Sequence, residues 1–216
     1  MSIVTRRRTL AAVVAAAAAL ASCGTTEDTF LKNAQKGTYL RVPAGWETFR
    51  VTGDDRPAPS YPAPDWRVVL DASPKPNPTN FASLTGDHPV AAVNVGSIAS
   101  RDAYVSMQFL RAQATAPLAG GSGGQLFDVI QELQEGNPEL ELVDYQEYKD
   151  ADFWGTRIVF NARLENGKTV TIGEVAKVNR KLDTLYQLHV HCLSSCYRSN
   201  RAEIDRLLDS FTLKDV

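Results

Sequence analysis

Residues 156–178 read TRIVFNARLENGKTVTIGEVAKV, and this stretch decides the fold. Its two halves, 156–164 and 169–178, are dense in β-branched and aromatic residues, which suit the pleated, half-buried surface of a sheet. Between them Asn166-Gly167 is a strong hairpin signal, because both residues tolerate the positive φ of a tight two-residue turn. Working outward, 140–148 and 184–192 have the same character, so four strands are expected to pair consecutively as an antiparallel meander. In the last strand Tyr186, Leu188, Val190 and Cys192 share one face, while Gln187, His189 and His191 share the other, since side chains alternate along a strand. The first set reads as core and the second as partly solvated.

Helices are expected on either side of the meander. Leu126, Val129, Ile130 and Leu133 recur at helical spacing behind Ser122, and Gly136 followed by Pro138 closes the run, which predicts a helix over 123–135. A closing helix is predicted over 201–209, with Asn200 and Glu203 related as in a capping box and Ile204, Leu207, Leu208 and then Phe211 towards the core. Segment 103–111 alternates Val105, Met107 and Phe109 and is read as a strand. Seven of the 11 prolines lie between Pro57 and Pro78. Proline can neither donate to a ladder nor continue a helix, so this region is expected to form stiff surface loops around a short strand over 66–71.

The 216 residues carry 23 Lys and Arg against 25 Asp and Glu, a formal net charge of -2. Arg6, Arg7 and Arg8 lie in the first ten residues, so the rest of the chain is more acidic still. Phosphate binding draws its affinity from clustered cations, so the body carries no signature of a nucleic-acid partner. A hydrophobic share of 44% excludes disorder throughout and leaves room for a well-buried core.

The first 22 residues have the layout of an export signal: the basic Thr5-Arg6-Arg7-Arg8, an apolar run from Leu10 to Leu20, and small residues leading to Cys23. That run is too short to span about 30 Å of hydrocarbon as a helix. Leu20-Ala21-Ser22-Cys23 resembles the lipobox of bacterial lipoproteins, a likeness that implies cleavage before Cys23 and attachment of diacylglycerol, with palmitate-like chains, to its thiol. Two or three acyl chains hold firmly where one is marginal. The adjacent arginines leave the export route open between the general and the twin-arginine pathways. Residues 23–38 are read as the lipidated cysteine and a flexible tether, and 39–216 as a single domain without internal repeats.

Several constellations invite chemistry. Cys192 and Cys196 sit at the junction of the last long strand and the closing helix, and in an exported protein two nearby thiols end as a structural disulfide; a redox or metal pair is the alternative. His189 and His191, two apart on a strand, could place two imidazoles on one zinc ion, but no third ligand stands nearby in the sequence. The plainer reading is a pair of partly solvated histidines. Gly121-Ser122-Gly123 lacks the strand-to-helix context of a nucleophile elbow. The run Gly120-Gly121-Ser122-Gly123-Gly124 lacks the Lys-Ser/Thr ending of a phosphate loop, and a flexible lead-in capped by Ser122 is the better reading. His88 falls in a turn.

Two short motifs suggest a family. Tyr39-Leu40-Arg41-Val42-Pro43-Ala44-Gly45-Trp46 resembles the opening strand and Pro-x-x-Trp turn of Mog1/PsbP-like domains, and Ile204 through Ser210-Phe211 resembles their closing helix and the Ser-Phe at its exit. With the anchor, the chain is similar to actinobacterial lipoproteins of the LpqN type. The resemblance implies an α+β fold, an antiparallel β-sheet sandwich flanked by helices, and a role in binding or assembly rather than catalysis.

The expected protein is therefore a cell-envelope lipoprotein, held at the extracytoplasmic face of the membrane through Cys23, with no cofactor and no enzymatic activity. Its body would be a monomer that binds an envelope protein partner or a small apolar ligand between sheet and covering helix. The alternative is an envelope metallo-hydrolase built on His189 and His191.

Overall fold

A computed structural model describes residues 27–51, 65–97, 136, 138–149, 152–181 and 183–214. The meander lies at its centre. Strands β6 (Leu140–Lys149), β7 (Phe153–Arg163), β8 (Thr169–Asn179) and β9 (Thr184–Leu193) pair in sequence, each antiparallel to the next. Gly167 at the β7–β8 turn has φ of 77°, a conformation that costs glycine nothing.

Beyond β9 the sheet continues through β5 (Val90–Ser97), β4 (Trp66–Asp71) and β3 (Glu47–Val51). Its order is β3-β4-β5-β9-β8-β7-β6, which puts β3 and β6 at the edges. A three-stranded sheet of order β1-β2-β10 is formed by β1 (Thr29–Asn33), β2 (Thr38–Val42) and β10 (Thr212–Leu213). Residues 29–38 were expected in the tether, and here the structure corrects that reading. All five residues of β1 pair with β2, and Leu31 packs against the core, so the fold begins ten residues earlier than the composition suggests.

Helix α1 (Ser194–Asp209) follows β9 without a loop and starts seven residues ahead of the predicted 201–209. The capping box is therefore not formed. Asn200 lies inside the helix and its Nδ2 donates to the Cys196 carbonyl at 2.8 Å. Glu203 instead accepts a hydrogen bond from the Trp46 indole N–H. Leu193 at the N-cap offers no side-chain hydrogen bond, and the corner is held by the Cys192–Cys196 disulfide, with Cα atoms 6.0 Å apart.

The main core lies between one face of the large sheet, α1 and the small sheet. Val93, Val175, Leu188 and Val190 from the large sheet meet Ile204, Leu207 and Leu208 of the helix, and Leu40, Val42 and Leu213 of the small sheet close the far side. Close approach of helix to sheet is set by Gly173, where a Cβ would come within 3.0 Å of Leu208 Cδ1 and 3.2 Å of Val190 Cγ1. The Ser-Phe exit has a plain mechanical role. Ser210 Oγ accepts from the Arg41 N–H at 3.1 Å, tying the end of α1 to β2, while Phe211 is buried and its carbonyl accepts from Lys177 Nζ at 2.6 Å.

The opposite face of the large sheet is also buried. Ile158, Phe160, Val170 and Ile172 form one apolar cluster there and Val69, Val90, Ala92 and Phe81 another. Phe81 comes from a 3-10 turn, Pro78–Ala82, with Asn77 as its N-cap. The expected helix over 123–135, the strand over 103–111 and the glycine run at 120–124 lie outside the described residues, as do Cys23 and the signal segment.

Candidate functional site

Parity along β9 sends Gln187, His189 and His191 to the face away from α1. Across the ladders His189 lies opposite Ala92 of β5 and Glu174 of β8, and His191 opposite Val90 and Ile172. The expectation of solvated imidazoles is overturned: His189 is 3% exposed and His191 1%. Phe81 is the reason, its ring centroid standing 5.6 Å from that of His189 and 5.0 Å from that of His191.

What holds Phe81 there is Asp71 at the end of β4. Its carboxylate accepts from the Ser73 N–H at 2.7 Å, the Asn77 N–H at 2.8 Å and the Asn80 side-chain amide at 2.7 Å. Burial pushes the Asp71 pKa up, but these hydrogen bonds, led by Asn77, outweigh it and leave the group below the usual carboxylate range. They fold the proline-rich 74–78 loop back over the sheet and deliver the 3-10 turn to the histidines.

His189 Nδ1 lies 3.3 Å from Glu174 Oε2, and Gln187 Nε2 donates to Glu174 Oε1 at 3.3 Å. Burial, with a smaller contribution from the Arg67 charge, lowers the His189 pKa to about 4, and burial followed by the neighbouring His189 lowers that of His191 to about 3. Burial lifts Glu174 well above the ordinary carboxylate range. Both imidazoles are thus uncharged near neutrality, and His189 Nε2 has no hydrogen-bond partner among the described residues. Neutral imidazoles are metal ligands in principle, yet no group of three His, Cys, Asp or Glu able to hold an ion occurs among the described residues. The zinc-hydrolase alternative gains no third ligand from the described residues. Cys192 and Cys196, bonded to each other, face the main core on the far side of the sheet.

A different site opens on the helix side, at the seam between α1 and the edge of the sheet. Leu142 of β6 lies opposite Phe160, and the register then shifts so that Asp144 faces Val159 instead of Ile158. This bulge at Val143 turns Asp144 towards the helix face, where Arg157 lies. The Arg157 guanidinium, almost fully buried, bonds Asp144 Oδ2 at 3.0 Å and Asp205 Oδ1 of α1 at 2.8 Å, with Asp209 Oδ1 at 3.7 Å. Tyr197 OH donates to Asp205 at 3.3 Å, and burial together with the Asp205 charge raises its pKa.

These groups, with Val159 and Arg201, line a cleft of about 210 Å³. At its rim the bulge leaves Val143 40% exposed, while Leu142, opposite Phe160, lies on the other face of the sheet. Such a site offers paired charges on its floor and an apolar side chain, Val143, at its edge. It is smaller than the pockets of several hundred Å³ that enclose drug-sized ligands. Sequence reasoning missed it, although a lone charged residue at position 157 within an apolar strand was the available signal. Glu174, equally isolated in β8, gave the same kind of hint.

No family model matches the sequence, and no curated protein matches it. Among solved structures, the cyanobacterial PsbP protein of Synechocystis sp. PCC 6803 aligns with 89% of this chain and 96% of its own at 12% identity and a TM-score of 0.53. LpqN of Mycobacterium tuberculosis, described as involved in cell envelope biogenesis, aligns with 87% of this chain and 91% of its own at 12% identity and a TM-score of 0.45. The Ran-binding protein Mog1p of Saccharomyces cerevisiae aligns with 88% and 96% at 11% identity and a TM-score of 0.43. At these identities the likeness is one of fold: an antiparallel α+β sandwich of the Mog1/PsbP-like kind.

Proposed function

We propose that this chain is a lipid-anchored cell-envelope protein whose folded body serves as a non-enzymatic binding or accessory module for a partner protein. Attachment is through acylated Cys23 after removal of residues 1–22, and no helix among the described residues is long and apolar enough to cross a membrane. The observation that carries the binding role is the cleft between β6 and α1, where exposed Val143 borders the Arg157 ion-pair cluster. A small apolar ligand fits this site poorly, because its floor is charged. A protein surface matches it better, combining apolar contact at the rim with polar groups that fix orientation.

The experiment has two readouts. The intact mass of protein extracted from membranes should correspond to a chain starting at Cys23 with acyl groups attached; an unmodified, uncleaved N-terminus would remove the anchor. A photoreactive side chain at position 143 should crosslink one defined envelope protein, and Arg201→Ala with Asp209→Ala, both in the cleft, should abolish that product while leaving the folded signal unchanged. A product that persists through both substitutions would show that the cleft is not the contact.

A further inference from the structure

The outward face of the small sheet includes β1, the element nearest in sequence to the proposed anchor, and has an unusual composition. In β1 the residues away from the core are Phe30 and Lys32, and their partners across the ladder are Arg41 and Tyr39 of β2. Phe30 is 78% exposed, the most exposed of the large apolar side chains described. Lys32 Nζ lies 5.3 Å and Lys214 Nζ 5.4 Å from the Tyr39 ring centroid, so two ammonium groups flank one aromatic ring. Arg41 is paired to Asp28, which offsets its charge, whereas Lys32 and Lys214 add two positive charges to the face of a chain that is acidic overall.

Geometry limits where this face can be. Cys23 and Thr29 are six positions apart, and a fully extended chain of that length reaches roughly 20 Å. A domain held at the bilayer through Cys23 therefore cannot move its small sheet far from the lipid headgroups. Aromatic side chains with Lys and Arg around them are the composition that settles at a membrane–water interface, the ring at headgroup level and the ammonium groups on anionic phosphates.

We infer that the Phe30, Lys32, Tyr39 and Lys214 face of the small sheet docks on an anionic lipid surface and fixes the orientation of the anchored domain. The inference rests on Cys23 as the anchor. In this orientation the cleft between β6 and α1, lined by no residue of the small sheet, stays available to a partner.

The test separates the two claims. All the strands and the helix described lie within residues 29–213, so a chain of residues 23–216 retains the fold. With Cys192 and Cys196 bonded, Cys23 is its free thiol and can be coupled to a maleimide lipid whether or not cells acylate it. Coupled to vesicles containing 30% phosphatidylglycerol in phosphatidylcholine, a benzophenone side chain in place of Phe30 should form at least about fivefold more lipid adduct than one in place of Leu142. Lys32→Glu with Lys214→Glu should reduce the adduct at position 30 by about tenfold or more, since each cation near an anionic surface is worth roughly a factor of five, and 0.5 M salt should do the same by screening. Equal labelling at the two positions, or labelling at 30 that is indifferent to both lysines, overturns the docking face. Failure of acylation in cells is read from the intact mass and overturns the anchor instead.

Discussion

His189 Nδ1 lies 3.3 Å from Glu174 Oε2 across the β8–β9 ladder, with both side chains closed off from water. Burial shifts the two groups in opposite directions, each towards its uncharged form. The pH dependence of stability then has two limbs. The histidine contributions are complete above the unfolded imidazole pKa near 6.5 and are lost as pH falls through about 4 for His189 and about 3 for His191. Glu174 acts with the other sign: its contribution is full below the ordinary carboxylate pKa and is lost as pH rises through its elevated folded value. Unfolding free energies from urea titrations should fall between pH 6.5 and 4, by an amount on the order of a few kcal/mol. His191→Leu should flatten that acid limb, and Glu174→Gln should raise stability on the alkaline side. A pH profile unchanged by either substitution would contradict the burial of this cluster.

The Cys192–Cys196 bond closes a loop of only five residues, so the chain-entropy contribution is small, about 2 kcal/mol. It also stands where α1 lacks a side-chain cap. Cys192→Ala with Cys196→Ala should lower stability by about 2 to 3 kcal/mol, and hydrogen exchange should show the loss concentrated in the first turn of α1. Uniform loss of protection throughout α1 and β9 would mean that the disulfide holds the whole helix on the sheet and not merely the corner.

The meander was legible because its cause is local. Alternation along 156–164 and 169–178, with Asn166-Gly167 between, specifies a hairpin without reference to anything distant, and the neighbouring strands repeat the pattern. Contacts made between remote segments were not legible. His189 and His191 look solvated until Phe81 arrives from the 3-10 turn that Asp71 organises. Asn200 and Glu203 have the spacing of a capping box, but α1 extends through the weakly helix-forming Ser194-Ser195, and Glu203 is claimed by Trp46. The cleft depends on a one-residue bulge at Val143, which flips Asp144 to the helix face and has no signature in composition.

Gly173 reports on how tightly α1 lies against the sheet. A methyl group at this position would meet Leu208 Cδ1 at 3.0 Å and Val190 Cγ1 at 3.2 Å, both in the packed core. Gly173→Ala should therefore destabilise by about 1 to 3 kcal/mol through overpacking, although alanine is otherwise favoured over glycine in a strand. Leu208→Val in the same chain should recover part of the loss by withdrawing the clashing methyl. Thermal unfolding of the two single variants and the double variant gives the coupling directly. A double variant no better than the sum of the singles would place the strain elsewhere.

Arg157 joins the bulged edge strand to the helix, since its guanidinium is shared by Asp144 of β6 and Asp205 of α1. Replacing it by methionine keeps much of the buried stem but leaves those carboxylates facing each other without a cation. Breaking a fully buried pair costs roughly 3 to 5 kcal/mol, and the two aspartates here are about a third exposed, so solvent reduces the expected loss to about 2 kcal/mol. Asp144→Asn with Asp205→Asn added to Arg157→Met should restore most of that stability, because the repulsion disappears with the charges. The triple variant also isolates function from folding: it keeps Val143 at the rim and removes the ionic floor. If a partner is recognised by the rim alone, the triple variant binds as the wild type does; if the charges orient it, binding falls at least about tenfold while the fold is retained. Affinity measured against the protein crosslinked at position 143 decides between the two.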